Sequence, residues 1–173
     1  GEISCAMLKE AGCQWVIIGH SERRYILGET DNIINQKLHQ VFTEDLLPIL
    51  CIGETIDDRN AGDTKLVLKR QLSTACKNID SELLNKMVIA YEPVWAIGTG
   101  VTATNDMVAE THLDIRSILH GSGLKGDVIS ILYGGSVSID NAAVLSGIED
   151  LDGFLIGGAS LDVENFYFIY NQL

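Results

Sequence analysis

The stretch Met87-Val88-Ile89-Ala90-Tyr91-Glu92-Pro93-Val94-Trp95-Ala96-Ile97-Gly98-Thr99-Gly100 decides how the rest of the chain is read. Residues 87–91 are an unbroken apolar run of strand length, the pattern of a strand buried on both faces of a parallel sheet. The run ends on a carboxylate, Glu92. Pro93 then restricts the backbone, and Gly98-Thr99-Gly100 supplies a hinge. A base held at a strand's end, with a loop able to close over it, suits proton abstraction in a dry site. A solvated glutamate in a strand-to-helix turn satisfies the same spacing.

Outward from this stretch, short apolar runs recur at 15–18, 48–52, 128–133 and 153–156. Amphipathic segments separate them. Ser4 opens a short helix ending at Gly12, Asp31 caps one carrying Ile34, Leu38 and Val41, and residues 64–79 place Leu68, Leu72, Ala75, Cys76 and Ile79 at helical spacing. Asn105 or Asp106 starts another with Val108, Leu113, Arg116 and Leu119, and Ser138 caps a run to Leu145 that stops at Gly147. Strand–helix alternation predicts a parallel α/β sheet with right-handed crossovers. No Gly-x-Gly-x-x-Gly follows the first strand, so the dinucleotide signature of a doubly wound sheet is missing. Instead every predicted strand ends in polar or glycine-rich residues, which favours a (β/α)8 barrel, where function is gathered from several strand ends. Residues 1–173 are expected to form a single domain. Such barrels typically run to about 250 residues, so the expected fold is an incomplete barrel of five parallel strands, short by roughly three βα units. The chain does not begin with methionine.

A hydrophobic content of 46% with 2 prolines indicates an ordered globular chain. The net charge of −12 argues against nucleic acid and anionic membranes as partners. It leaves room for a small anion held by backbone N–H groups. Cys5, Cys13, Cys51 and Cys76 lack any metal-ligand spacing and read as reduced thiols of a cytoplasmic protein. No metal site is expected, and no window approaches a membrane span of roughly 18 apolar residues.

Gly19-His20-Ser21-Glu22-Arg23-Arg24 follows a buried strand and begins a helical turn. An imidazole at the positive end of a helix is favoured in its neutral form, able to donate a hydrogen bond to a substrate oxygen. A histidine satisfied by neighbouring backbone fits equally. Gly134-Gly135-Ser136 and Gly157-Gly158-Ala159-Ser160 each offer unobstructed N–H groups. Two such turns on adjacent strands suit a phosphate cup, although singly each is an ordinary turn.

In chain order, Gly19-His20-Ser21-Glu22-Arg23-Arg24, Cys51-Ile52-Gly53-Glu54, the segment from Tyr91 to Gly100, Tyr133-Gly134-Gly135-Ser136 and Gly153-Phe154-Leu155-Ile156-Gly157-Gly158-Ala159-Ser160 resemble the triosephosphate isomerase family over essentially the whole chain. The resemblance implies a homodimeric, cofactor-free enzyme of glycolysis and gluconeogenesis. It interconverts dihydroxyacetone phosphate and D-glyceraldehyde 3-phosphate by proton transfer through an enediolate. It implies that Glu92 is the base, that neutral His20 polarises the carbonyl, and that Glu22 supports the site through hydrogen bonding. Pro93, Val94, Trp95, Ala96, Ile97, Gly98, Thr99 and Gly100 form the lid. Ile97 helps to dry the base, and Gly98 N–H meets the phosphate. Ser136, Gly157 and Gly158 complete the phosphate cup, while Tyr133 and Ser136 bond the closed lid. Arg116–Asp152 and Arg23–Glu29 are expected ion pairs, and Cys51 is expected to pack.

Two departures are mild: Asn105 stands where the family often has proline, and Val101 where it often has lysine. The larger one is the family's first-strand asparagine and lysine, which nothing in this sequence matches; most of its third-strand dimer loop is likewise unmatched. The expectation is therefore a C-terminal portion of such an enzyme that is inactive alone. The alternative is a non-catalytic truncated module serving a structural or interaction role.

Overall fold

The computed structural model describes residues 2–97 and 102–173. Its sheet has five parallel strands: β1 (Trp15–Ile18), β2 (Leu47–Ile52), β3 (Val88–Tyr91), β4 (Ile131–Tyr133) and β5 (Gly153–Phe154). Their spatial order is β1-β2-β3-β4-β5, the order of the sequence. A doubly wound sheet reverses its order at a switch point, whereas a strictly sequential parallel order is that of a barrel wall. The fold is thus an incomplete barrel, with β1 and β5 as its two edges among the described residues.

Nine α-helices connect and flank these strands among the described residues: α1 (Cys5–Glu10), α2 (Ser21–Tyr25), α3 (Asp31–Thr43), α4 (Ile56–Ala61), α5 (Thr64–Ala75), α6 (Ser81–Leu84), α7 (Asn105–Gly121), α8 (Ala142–Leu145) and α9 (Val163–Tyr170). α3 packs on β1 and β2, α5 on α3, and α7 on α5, forming one outer layer. Ile34, Leu38, Leu68, Leu72, Val108, Ile115 and Leu119 bury the helix faces against Leu50, Ile52, Ile89 and Ile131. The opposite face of the sheet is less covered at β1: Ile18 is 3% exposed and its neighbour Ile17 is 49% exposed. A groove of about 790 Å3 runs beside this strand, lined by Val16, Ile18, Leu27, Ile33 and Val41. At the other end of the sheet, α9 leaves Tyr167 and Tyr170 exposed.

Several element boundaries differ from the sequence reading. The helix expected to 79 stops at Ala75, because Asn78 takes a left-handed backbone (φ 60°) that asparagine tolerates and a helix does not. Thr30 and Thr104, not Asp31 and Asn105 or Asp106, cap α3 and α7; their hydroxyls accept from Ile33 and Met107 N–H. The run 128–133 is a strand only from Ile131. Arg116 donates to the carbonyls of Gly126 (2.5 Å) and Ile129 (2.6 Å), so the segment between them turns instead of pairing, and Val128 is exposed. Ser138 begins a turn: its N–H donates to Asn141 Oδ1 and its hydroxyl accepts from Asp140 N–H, so the helix starts only at Ala142. Leu113, expected on the inner face of α7, is exposed, and Thr111 and His112 are buried there.

The expected ion pairs form. Arg23 Nε meets Glu29 Oε1 at 2.5 Å, and Arg116 Nη2 meets Asp152 Oδ2 at 2.9 Å. Arg116 also donates through Nε to Asp150 Oδ1 (3.0 Å). One guanidinium therefore ties α7 to the start of β4 and to the loop entering β5. Because Arg116 is only 9% exposed, its removal strands buried acceptors. Arg116→Met is expected to destabilise the chain by about 3–5 kcal/mol, as removing one partner of a buried charge network does. Denaturant unfolding checks this, and a midpoint equal to that of the parent chain would contradict it.

Candidate active site

At the end of β1, Gly19 turns the chain with φ +72°, and a Cβ there would meet Cys51 O at 3.1 Å and Arg24 Nη2 at 3.0 Å. The Arg24 guanidinium fills that space, donating to Gly19 O (2.7 Å), Cys51 O (2.9 Å) and Asp31 (2.6 Å), and so fastens the end of β1 to β2. His20 is thereby placed as the N-cap of α2, its Nδ1 accepting from Glu22 N–H at 3.4 Å. Between β1 and β3, Gly53 ends β2, and a Cβ on it would lie 1.7 Å from Glu92 O. Only glycine lets the backbone of Glu92 come this near. Buried Gln71, on α5, holds Gly53 by both N–H and C=O at 2.9 Å each.

Glu92 is 3% exposed. Its Oε2 accepts from Ser21 N–H (2.9 Å), and its Oε1 lies 2.9 Å from His20 Nε2. The neutral ring form was expected from the helix end alone. The Glu92 carboxylate acts against it, and hydrogen bonding to Glu92 raises the His20 pKa above its ordinary 6.5. The two hydrogen bonds define the unprotonated state: Nδ1 accepts from Glu22, so Nε2 carries the hydrogen and donates to Glu92. The Glu22 backbone makes the contact to His20; its exposed carboxylate bonds no described residue.

His20 and Glu92 open on a cavity of about 360 Å3, which is also lined by Ile17, Ile97, Gly134, Ser136, Gly157 and Gly158. The N–H groups of Gly135, Ser136, Gly157 and Gly158 donate to no described residue. They form a set of free donors at one end of the cavity, suited to a phosphate. No lysine or arginine lines the cavity among the described residues. Gly134 N–H donates to Tyr91 O (2.7 Å), and a Cβ on Gly134 would press on Glu92 Cγ at 3.1 Å, so the glycine turn and the carboxylate are packed together.

Of the expected lid, Pro93 and Ala96 are buried, and residues 94–96 form a 3-10 turn. Ile97 faces the cavity. Trp95 Nε1 donates to Glu54 Oε1 (2.9 Å), which also accepts from Tyr91 Oη (3.1 Å) and Arg59 Nε (3.1 Å). Gly98, Thr99, Gly100 and Val101 lie outside the described residues. Tyr133 is buried, its hydroxyl beside Gly135. Cys51 packs as expected: burial and the Glu92 charge push its thiol well above its ordinary value, leaving little thiolate.

The sequence reading gave no role to Arg24, Arg59, Gln71 or His112, and it named Trp95 in the lid without its bond to Glu54. Gln71 and His112 had a signal, since each is a polar residue inside an apolar helical register. Among the described residues no group of three or more His, Cys, Asp or Glu could hold a metal, and no helix is long and apolar enough to cross a membrane.

A sequentially ordered parallel α/β sheet, with a histidine against a buried glutamate and unbonded glycine N–H groups at its strand ends, defines an incomplete (β/α)8 barrel. The sequence profile described as triosephosphate isomerase matches residues 1–173, and the chain belongs to that family. It is 48% identical to the triosephosphate isomerase of Francisella tularensis subsp. novicida over 173 residues, 99% of this chain and 68% of that protein. The triosephosphate isomerases of Marinobacter nauticus and Lawsonia intracellularis are 46% and 48% identical over 96% of this chain, covering 66% of each. The matched part of these relatives is C-terminal.

His20 is expected to titrate above 6.5, and Glu92→Gln is expected to return it toward 6.5. A pKa raised by folding stabilises the folded state fully below 6.5, and that contribution is lost as pH rises through the folded value. NMR titration of the imidazole protons checks the shift; equal midpoints in parent and variant would contradict the contact.

Proposed function

We propose that this chain carries the proton-transfer and phosphate-binding part of a triose-phosphate isomerase, forming a single domain. The observation that carries the reading is the 2.9 Å contact between His20 Nε2 and Glu92 Oε1, beside unbonded N–H groups around one cavity. Two groups so close face the same small volume. A ketose phosphate entering it separates them: the Glu92 carboxylate, leaving Ser21 N–H, takes the carbon-bound proton, and His20 Nε2–H donates to the carbonyl oxygen as charge develops there. The same carboxylate returns the proton to the neighbouring carbon, while His20 gives its Nε2 proton to the original carbonyl oxygen and takes the proton of the adjacent hydroxyl, whose oxygen becomes the new carbonyl. A neutral imidazole suits this role because its donated hydrogen stabilises the enediolate without first being spent as a full charge.

The free N–H groups of Gly157, Gly158 and Ser136 hold the phosphate under this proposal, and Gly98 is assigned to it by family resemblance alone. In this reading the segment from Pro93 to Gly100 closes over the site, and Ile97 shields Glu92 from water. Tyr133 and Ser136 meet the closed segment, and Glu22 supports His20. The reaction requires no cofactor or metal. We further read the longer protein as a homodimer, by family resemblance, and as cytoplasmic, a reading supported by four free thiols.

No cation among the described residues faces the developing enediolate. One missing electrostatic group of this kind costs about 3–4 kcal/mol, or roughly 100–1,000-fold in rate. The chain alone is therefore expected to have negligible turnover in a coupled assay; near-native turnover would contradict this. Slow exchange of solvent deuterium into dihydroxyacetone phosphate is expected, followed by NMR and abolished by Glu92→Gln. Exchange unaffected by that substitution would overturn the assignment of Glu92.

A further inference from the structure

One wholly buried ionisable group takes no part in the chemistry above. His112 lies on the inner face of α7 at 0% exposure. Its Nδ1 is 3.2 Å from Asp150 O, and a carbonyl only accepts, so Nδ1 carries the hydrogen. Nε2 is then an acceptor, buried and without a hydrogen bond to any described residue. Burial drives the pKa down to about 4, so the ring is neutral over the physiological range.

The ring stands between two tyrosines. It meets Tyr91 edge-on (5.9 Å, 82°) and Tyr133 at a tilt (6.4 Å, 49°), and the tyrosine rings are 6.3 Å apart. These tyrosines are the last residues of β3 and β4. Glu92 follows the first, and the Gly134-Gly135 turn follows the second. Gly135 is moulded on the Tyr133 hydroxyl, to which a Cβ would come within 2.2 Å. Tyr91 also reaches Glu54 Oε1, which holds Trp95. The three-ring cluster therefore supports both the carboxylate and the glycine donors from below.

We infer that His112 is a positioning residue, whose ring wedges Tyr91 and Tyr133 and so fixes Glu92 against His20 and beside the Gly134-Gly135 turn. The inference rests on the acid–base reading of Glu92 and His20. The ring's shape does the positioning, and the bond to Asp150 O serves only to anchor it.

The test follows the His20 imidazole by NMR titration in the parent chain, His112→Asn, His112→Phe and Leu119→Ala. Asparagine keeps an amide donor for Asp150 O and removes the ring; phenylalanine keeps the ring and removes the donor. Leu119 is fully buried two turns along the same helix, and its truncation controls for general loss of stability. The expected result is that His112→Asn lowers the His20 midpoint toward 6.5, while His112→Phe and Leu119→Ala retain the raised midpoint. The inference is overturned if His112→Asn leaves the midpoint unmoved, if His112→Phe moves it as far, or if Leu119→Ala does so. A parent midpoint already at 6.5 would instead remove the His20–Glu92 contact, and with it the reading on which this inference rests.

Discussion

Burying the Glu92 carboxylate is the constraint around which the strand ends are arranged. A carboxylate at 3% exposure is costly unless it is hydrogen-bonded. Its two oxygens are satisfied from one turn, by Ser21 N–H and His20 Nε2, although that turn ends β1 and the carboxylate ends β3. The intervening strand must end without a side chain in the way. Gly53 meets that demand, with Gln71 holding both its backbone groups. Arg24 then draws the β1 turn onto β2. His20, Ser21 and Gly53 at these strand ends thus serve one compensated burial.

The state of the histidine is a consequence of that same burial. Glu92 draws His20 toward protonation, while the backbone N–H of Glu22 claims the other nitrogen and requires a lone pair there. The site therefore holds a histidine whose neutral form satisfies both neighbours and whose affinity for a proton is raised. The free glycine N–H groups nearby offer positive potential from backbone alone, which is how a chain of net charge −12 can still attract an anion.

The sheet's edges set a different limit. β1 and β5 each pair on one side only among the described residues, and Ile17, which lines the cavity, is half exposed. The wall of the site is thus least complete at β1. Strand edges of this kind invite further pairing. The chain spans about two thirds of the length of the relatives it matches. The turns that carry His20 and Gly134 are built nonetheless, because neighbouring strands brace them and not closure of the ring: Arg24 reaches Cys51 O on β2, and Gly134 N–H reaches Tyr91 O on β3.

Much of this was legible in the sequence. Apolar runs marked all five strands, since a strand buried on both faces leaves little room for polar residues, and the positions of Glu92, His20 and the glycine turns at strand ends followed directly. Helix caps were misplaced by a residue because threonine and its acidic or amide neighbour carry the same signal. The start of β4 was misjudged because Arg116 takes carbonyls that the run's hydrophobicity assigned to a ladder. What the tertiary structure alone decided are contacts between residues far apart in the chain: His20 with Glu92, Gln71 with Gly53, and His112 with two tyrosines. Local pattern records what a residue is and which face it takes. It carries nothing about which distant partner balances a buried charge, since that depends on how the strands are ordered in space.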